Sequence, residues 1–184
     1  KALEIISGHN FPIHMITKSS LITRDKDLIQ EINKVYSAIS FTVTTSDDEL
    51  AAKVEPFAPR PSQRFRAMKE FSDAGIYTGV TMMPILPFIE DDPENIRSIV
   101  RKTAEAGGKY IIPAIGMTLR DRQRAYYYKK LDENFPGLRE KYIKAYGARY
   151  SCKPIGVENL YKVFYEECEK YKIATRIKIF QPIE

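Results

Sequence analysis

An α/β fold with parallel strands is the class that this 184-residue chain predicts. Short β-branched and apolar runs recur along its first 120 positions, separated by segments whose apolar residues repeat at helical spacing. Glycine or proline closes or opens most of those helical segments. The intervals between strands are too long for hairpins, so parallel pairing through right-handed crossovers follows.

The elements can be justified in order. Leu3, Ile5 and Ile6 ahead of Gly8 suggest a helix already under way at the first residue. Residues 12–17 (PIHMIT) are a short apolar strand, and residues 25–35 a helix with Leu28, Ile29 and Ile32 on one face. Residues 38–45 (AISFTVTT) are β-branched and aromatic, which suits a strand. Pro56, Pro59 and Pro61 then hold an extended connection. A helix over residues 64–74 follows, with Phe65, Met68, Phe71 and Ser72 on one side, and stops at Gly75. Residues 76–83 form the next strand, broken after it by Pro84 and Pro87. Asp92-Pro93-Glu94 opens another helix, because proline fits a first turn and acidic residues complement the helix dipole. It runs through Ile96, Ile99 and Val100 to Gly107-Gly108, and residues 110–115 are again a strand. Beyond residue 120 the pattern is mostly helical, over 120–131, 138–146 and 157–171, ending in an alternating strand at 175–180 (TRIKIF).

At least four β/α units are present, and no second domain is expected: residues 1–119 supply the units and residues 120–184 a helical extension packed on them. Two topologies compete, an open doubly wound sheet and a barrel lacking its first strands. The helical opening favours the second. With no Met at its start, the chain reads as a piece whose N-terminal part is missing, so targeting signals are not judged.

Composition narrows the function classes. Hydrophobic content of 43% and charged content of 29% are ordinary for a soluble globular domain. No apolar run is long enough to cross a membrane. Cys152 and Cys168 stand sixteen residues apart without a C-x-x-C pair, the usage of reduced thiols in a cytoplasmic protein. Cys168 falls on the apolar stripe Leu160, Val163, Phe164 and Tyr171 and is expected in the core. None of the nine glycines forms a phosphate-binding G-x-G-x-x-G or G-x-x-x-x-G-K loop, which weakens an ordinary phosphate-binding enzyme. Residues 101–150 hold twelve Lys or Arg against five Asp or Glu. Arg120, Arg122, Arg124, Lys129 and Lys130 interleave there with Tyr126, Tyr127 and Tyr128, a mixture that suits single-stranded nucleic acid. The competing view packs the tyrosines inward, since adjacent helical residues point in different directions.

In parallel α/β folds ligands bind at the C-terminal ends of strands, which here means Thr44, Thr45 and residues 83–87. Glu55, directed by Pro56, is placed to orient Arg60 or Arg64. His14 is expected as a buried strand histidine with a backbone partner.

The chain resembles radical S-adenosylmethionine proteins of the spore photoproduct lyase-like (DNA repair photolyase-like) group. The resemblance rests on Ile16-Thr17-Lys18-Ser19, Thr42-Val43-Thr44-Thr45, Val54-Glu55-Pro56, Arg64-Phe65, Met83-Pro84-Ile85-Leu86-Pro87, and Phe135-Pro136-Gly137-Leu138, in order and at matching spacing. It implies a partial (β/α) barrel, a 4Fe-4S cluster, and S-adenosylmethionine cleaved reductively to a 5′-deoxyadenosyl radical, acting on a substrate not identified. Lys18 would meet the methionine carboxylate, with Thr44 or Thr45 presenting a hydroxyl to the same ligand. Arg64 would reach that carboxylate too, and Met83, Pro84, Ile85 and Leu86 would wall the adenine through backbone groups and apolar packing. The family's cluster loop has three cysteines in C-x-x-x-C-x-x-C, and this sequence has no such loop. The cluster and cofactor therefore belong to a full-length parent, and the chain alone is expected to retain neither and to be inactive. The alternative is a non-catalytic α/β module binding nucleic acid or protein through residues 120–130.

Overall fold

Four parallel strands lie side by side in chain order in the computed structural model, which describes residues 1–182: β1 (Ile13–Thr17), β2 (Ser37–Thr42), β3 (Tyr77–Ile85) and β4 (Tyr110–Ile115). Helix α1 (Ala2–Gly8) precedes them. A short 3-10 turn (Ser20–Asp25) and α2 (Lys26–Ile32) connect β1 to β2. Helices α3 (Asp48–Val54) and α4 (Pro61–Asp73) connect β2 to β3, and α5 (Pro93–Glu105) connects β3 to β4. The chain continues through β5 (Met117–Thr118), α6 (Asp121–Asn134), α7 (Leu138–Tyr146), β6 (Ser151–Cys152) and α8 (Val157–Tyr171).

Sequential order has a structural consequence. A doubly wound sheet reverses direction at a switch point, and this sheet has none. Right-handed crossovers between successive neighbours place their helices on one face of the sheet. The core agrees. Ile39, Phe41, Val80, Met82 and Ile111 share one cluster with Ile29, Met68, Phe71 and Ile99 of the helices. Each fully buried apolar side chain there contributes about 1.5–3 kcal/mol. Helix α8 joins the same core through Leu160, Val163, Phe164 and Cys168, so the helical half is not independent of the strands. A smaller cluster, built on Leu119, Tyr128, Leu131, Tyr142 and Cys152, holds α6, α7 and the β5–β6 pair together.

The residues that alternate with the core set form the other sheet face: Ser40, Thr42, Gly79 and Thr81 lie in register across β2 and β3. This face is polar. His14 Nε2 lies 2.8 Å from the Ser40 hydroxyl, which is 2.6 Å from the Tyr110 hydroxyl. Thr42 and Thr81 are joined through their hydroxyls at 2.9 Å. Gly79 leaves room for the Tyr110 ring, since a Cβ built on it would lie 2.6 Å from two ring atoms. Gly79→Ala is therefore expected to push Tyr110 off Ser40 and to lower stability by about 1–3 kcal/mol. Chemical denaturation measures the loss, and an unchanged midpoint would contradict this packing.

Among the described residues the sheet does not close on itself. Strand β1 has a partner on one edge only, and β4 meets on its outer edge a single bridged residue, Ala174. That overturns the strand expected at 175–180. Lys172 adopts a left-handed conformation (φ 56°) after α8, and only Ala174 pairs, with its N–H donating to Lys109 O and its carbonyl accepting from Ile111 N–H. The following residues cross the tips of Tyr36 and Tyr77 instead. Tyr36 donates its hydroxyl to Lys178 O, and its ring lies 5.7 Å from that of Phe180.

Other differences are smaller. Helix α3 was not anticipated from sequence; Asp47 caps it by accepting from Glu49 N and Leu50 N at 2.8 and 3.2 Å. Helix α4 starts at Pro61, three residues early, because proline is favoured at a first helical position. His14 is exposed, and its partner is a hydroxyl and not the backbone. Among the described residues, no helix is long and apolar enough to cross a membrane.

Candidate functional site at the strand tips

The C-terminal ends of β1, β2 and β3 gather charged and polar groups onto one rim. Lys18 follows β1 and forms an ion pair with Glu55, which lies just past α3. The other oxygen of Glu55 accepts from Arg64 Nη2 at 2.6 Å. Arg64, on the first turns of α4, is 1% exposed. Its Nε donates to Pro59 O at 2.8 Å and its Nη1 to Thr42 O at 2.7 Å. The guanidinium is thus occupied on all three nitrogens, tying the β2 end to the proline-rich connection. Burial opposes the charged form of Glu55, but hydrogen bonds from Lys18 and Arg64, with their charges, hold its carboxyl below the usual range.

This placement corrects one expectation. Arg64 is not free to reach a ligand carboxylate; it supports Glu55, as the sequence reading of Glu55 anticipated. Lys18 keeps substantial exposure and faces solvent beside Glu55. Thr44 and Thr45 are both buried, and their hydroxyls differ in use. Thr44 Oγ1 donates to Glu90 Oε1 at 2.7 Å, whereas Thr45 Oγ1 accepts from Asp47 N at 3.2 Å and shapes the turn into α3. Met83 is half-buried, Pro84 is exposed, and the peptide bond between them is cis. Ile85 is fully buried in the helix-side core, with its carbonyl accepting from Gly116 N at 3.0 Å. Its side chain therefore cannot supply the apolar packing expected of it, which corrects that part of the expectation.

Glu90 is the residue that sequence reasoning missed. It is 1% exposed, between the ends of β2 and β3. Thr44 holds one oxygen, and Leu86 N–H donates to the other at 2.9 Å. Asn95 Nδ2 donates to the main-chain oxygens of Thr44 and Glu90, both at 2.9 Å, and so staples the two strand ends together. Burial pushes the Glu90 carboxyl up to about 7, against the two hydrogen bonds it accepts. In sequence it stands beside Asp91 and Asp92, where it reads as helix-entry charge; the apolar pair Phe88-Ile89 before it was the available signal for burial.

Beside this rim, a cavity of about 370 Å³ opens between the end of α3 and α6, lined by Val54, Phe57, Leu86, Ile89, Tyr127 and Phe135 among others. Below it, Tyr127 donates to the Tyr142 hydroxyl at 2.9 Å, and Tyr142 donates to Pro87 O at 2.6 Å. Tyr142 is fully buried, so Tyr142→Phe should leave Pro87 O unpaired and cost about 1–3 kcal/mol, read as a lowered unfolding midpoint. An unaltered midpoint would remove this chain of hydroxyls from the support of the rim.

The basic helix is only partly available. Arg124 bonds inward to the carbonyls of Leu119, Gly147, Ala148 and Arg149, closing the end of α7. Tyr128 is buried and Tyr127 is engaged with Tyr142, leaving Tyr126 exposed with Arg120, Arg122, Lys129 and Lys130.

Comparison with known proteins adds a fold relationship. No family model matches the chain. It is 27% identical over 170 residues to an uncharacterized protein of Mycobacterium tuberculosis, covering 92% of this chain and 50% of the relative. An uncharacterized protein of Methanocaldococcus jannaschii is 25% identical over 124 residues, 67% of this chain and 44% of the relative. One of Acidianus two-tailed virus is 31% identical over 94 residues, 50% of this chain and 31% of the relative. The chain thus spans half or less of the length of these relatives. Among solved structures, a double mutant of spore photoproduct lyase with bound AdoMet and dinucleoside spore photoproduct matches with a TM-score of 0.68. The identity is 15%, and the match covers 92% of this chain and 52% of that one. The four-stranded parallel fold is therefore similar to that of a radical S-adenosylmethionine lyase.

Proposed function

We propose that this chain is part of a radical S-adenosylmethionine enzyme, and that its sheet is an arc of that enzyme's (β/α) barrel. The observation that carries the reading is the likeness to the lyase over 92% of the chain; Lys18 just past β1, which the family resemblance assigns to the cofactor's carboxylate, is consistent with it. The one-sided edge of β1, flanked by the exposed side chains of Phe11, Ile16 and Leu21, supports a further unit lying against it in the whole enzyme.

The residues present fit one of the two groups that such chemistry needs. S-adenosylmethionine suits the strand tips: Lys18 supplies an ammonium for its carboxylate, Thr44 a polar edge, and Met83, Pro84 and the Leu86 backbone an apolar wall for its adenine. When bound, and given one electron from an iron-sulfur cluster held elsewhere, it would supply methionine and a 5′-deoxyadenosyl radical able to abstract hydrogen from substrate. The iron-sulfur cluster does not fit this chain. Cys152 and Cys168 are buried in separate cores, and among the described residues no group of three or more ligating side chains is placed to hold a metal. The thiolates would come from residues outside this chain. Within it, Arg64 fixes Glu55, Glu55 directs Lys18, and Glu90 holds the β2 and β3 ends at constant spacing.

Anaerobic purification of the full product of the encoding gene tests this reading. A visible iron-sulfur chromophore is expected, and a colourless, iron-free protein would overturn it. A second reading is a nucleic-acid-binding module, favoured by the exposed Tyr126 among Arg120, Arg122, Lys129 and Lys130. Reversing Arg120 and Arg122 to glutamate should then weaken single-stranded oligonucleotide binding and flatten its salt dependence, and Arg124 is left intact because it closes α7. Unchanged binding would remove this reading.

A further inference from the structure

We propose that the cavity between the end of α3 and α6 is a binding site for an aromatic carboxylate, a flat hydrocarbon ring system with one anionic group. Its volume of about 370 Å³ falls within the roughly 300–1,000 Å³ of small-ligand pockets. Half-buried apolar side chains make its floor: Leu86 and Ile89 from the tip of β3, Tyr127 from α6, and Phe135 just beyond that helix. Two exposed rings stand at its lips, Phe57 after α3 and Tyr126 on α6.

Phe57 is the residue that points to a ligand. Its side chain is fully exposed, yet its loop is not loose. Ala58 N–H donates to Glu55 O at 3.1 Å and closes a turn around it, with Pro56 and Pro59 on either side. Glu55 is in turn tied to Lys18 and Arg64. A fixed turn therefore holds a phenylalanine in water beside an apolar hollow. A ring entering the hollow would be covered by Phe57, and both would leave water. With Tyr126, Tyr127 and Phe135 nearby, the walls suit offset or edge-on packing against another flat ring.

Charge and polarity narrow the class. Lys53 lies at the cavity, and among the described residues no carboxylate is within ion-pair distance of it. Lys130 is paired with Glu133 and stands 5.8 Å from the centre of the Tyr126 ring. These two cancel, so the mouth keeps one positive charge for one anion. The donors of the floor residues are already used. Tyr127 donates to Tyr142, Leu86 N–H to Glu90, Ile89 N–H to Leu86 O, and Phe135 N–H to Leu131 O. A nucleobase would leave polar edges unpaired there, whereas a hydrocarbon ring would not. Leu86 also borders the strand-tip rim, but binding in the cavity needs no cofactor and does not rest on the reading of that rim.

The test maps amide shifts of the isotope-labelled chain with 2-naphthoate, and compares 2-naphthylmethanol and adenosine 5′-monophosphate. The acid should bind with a Kd below about 1 mM and shift Lys53, Phe57, Ile89 and Phe135. Phe57→Ala should weaken binding by roughly fivefold to tenfold. Because that side chain is fully exposed, the unfolding midpoint should stay unchanged. Lys53→Met, and the neutral alcohol with the parent chain, should each lose about two- to fivefold. No binding at about 1 mM, shifts away from the cavity, or full affinity in Phe57→Ala overturns the site. Equal binding of acid and alcohol, or binding of the nucleotide as tight as that of the acid, overturns the ligand class. None of these results bears on the strand-tip reading, which is tested with a different ligand.

Discussion

Arg64→Met is expected to lower the stability of this protein by about 3–5 kcal/mol, the cost of leaving a buried ionic partner uncompensated. In a chain of this size that corresponds to a fall in melting temperature of roughly 10 °C. The physical reason is that three acceptors lose their donors together. Glu55 would keep only Lys18, and Thr42 O and Pro59 O would each lose a charge-assisted hydrogen bond. Methionine matches much of the aliphatic stem, so the loss reports the head group and not a cavity. The double variant Arg64→Met, Glu55→Leu should recover part of the loss, because the stranded carboxylate is gone. A loss under about 1 kcal/mol for the single variant, within the range of an exposed pair, would show that this network does not hold the rim.

The second large effect is a pH dependence of stability set by Glu90. Its carboxyl titrates at about 7 in the folded chain, above the value near 4.5 expected when unfolded. Between those two values the unfolded chain releases a proton that the folded chain keeps. The stabilising contribution is therefore complete below about pH 4.5 and is lost as pH rises towards and through 7. The amplitude is about 2–4 kcal/mol, from 1.36 kcal/mol per unit of displacement. Glu90→Gln should flatten this segment of the profile and equal or exceed the parent in stability at about pH 8. Urea titrations at several pH values measure it. Parallel profiles for parent and variant would mean that Glu90 is ionised in the folded chain throughout.

Much of the fold is legible in the residues, and the reasons are local. Strand β4 and helices α7 and α8 have the bounds read from sequence periodicity. Parallel pairing followed from spacing. Helix α3 was hidden because DELAAKV is short and abuts three prolines, so that its Asp47 cap passed as loop polarity. The 175–180 strand was expected because Ile177 and Ile179 alternate with charges. Alternation reports one face packed and one face wet, and here the packed face rests on tyrosine side chains without a ladder.

The site was legible only in part. Glu55 with Arg64 emerged from the direction that Pro56 imposes. The interior bonding of Arg64 did not, because no local pattern tells that three carbonyl or carboxylate oxygens converge on one helix start. Thr44 and Thr45 looked equivalent as consecutive β-branched hydroxyls, and only the position of Glu90 separates them. Arg124 read as one of a basic series, yet it is consumed by four main-chain oxygens, three of them from residues 147–149 more than twenty positions away. Contacts of that kind depend on tertiary placement, which single-sequence periodicity does not encode.

Titrating the isotope-labelled chain with S-adenosylhomocysteine and mapping the shifted amides bears most directly on the proposed membership among radical S-adenosylmethionine enzymes. Shifts should concentrate at Lys18, Thr44, Met83 and Leu86, and Lys18→Met should weaken binding by roughly tenfold, as expected for one charge-assisted contact. Shifts confined to residues 120–130, or none at millimolar nucleoside, would contradict a cofactor site at the strand tips.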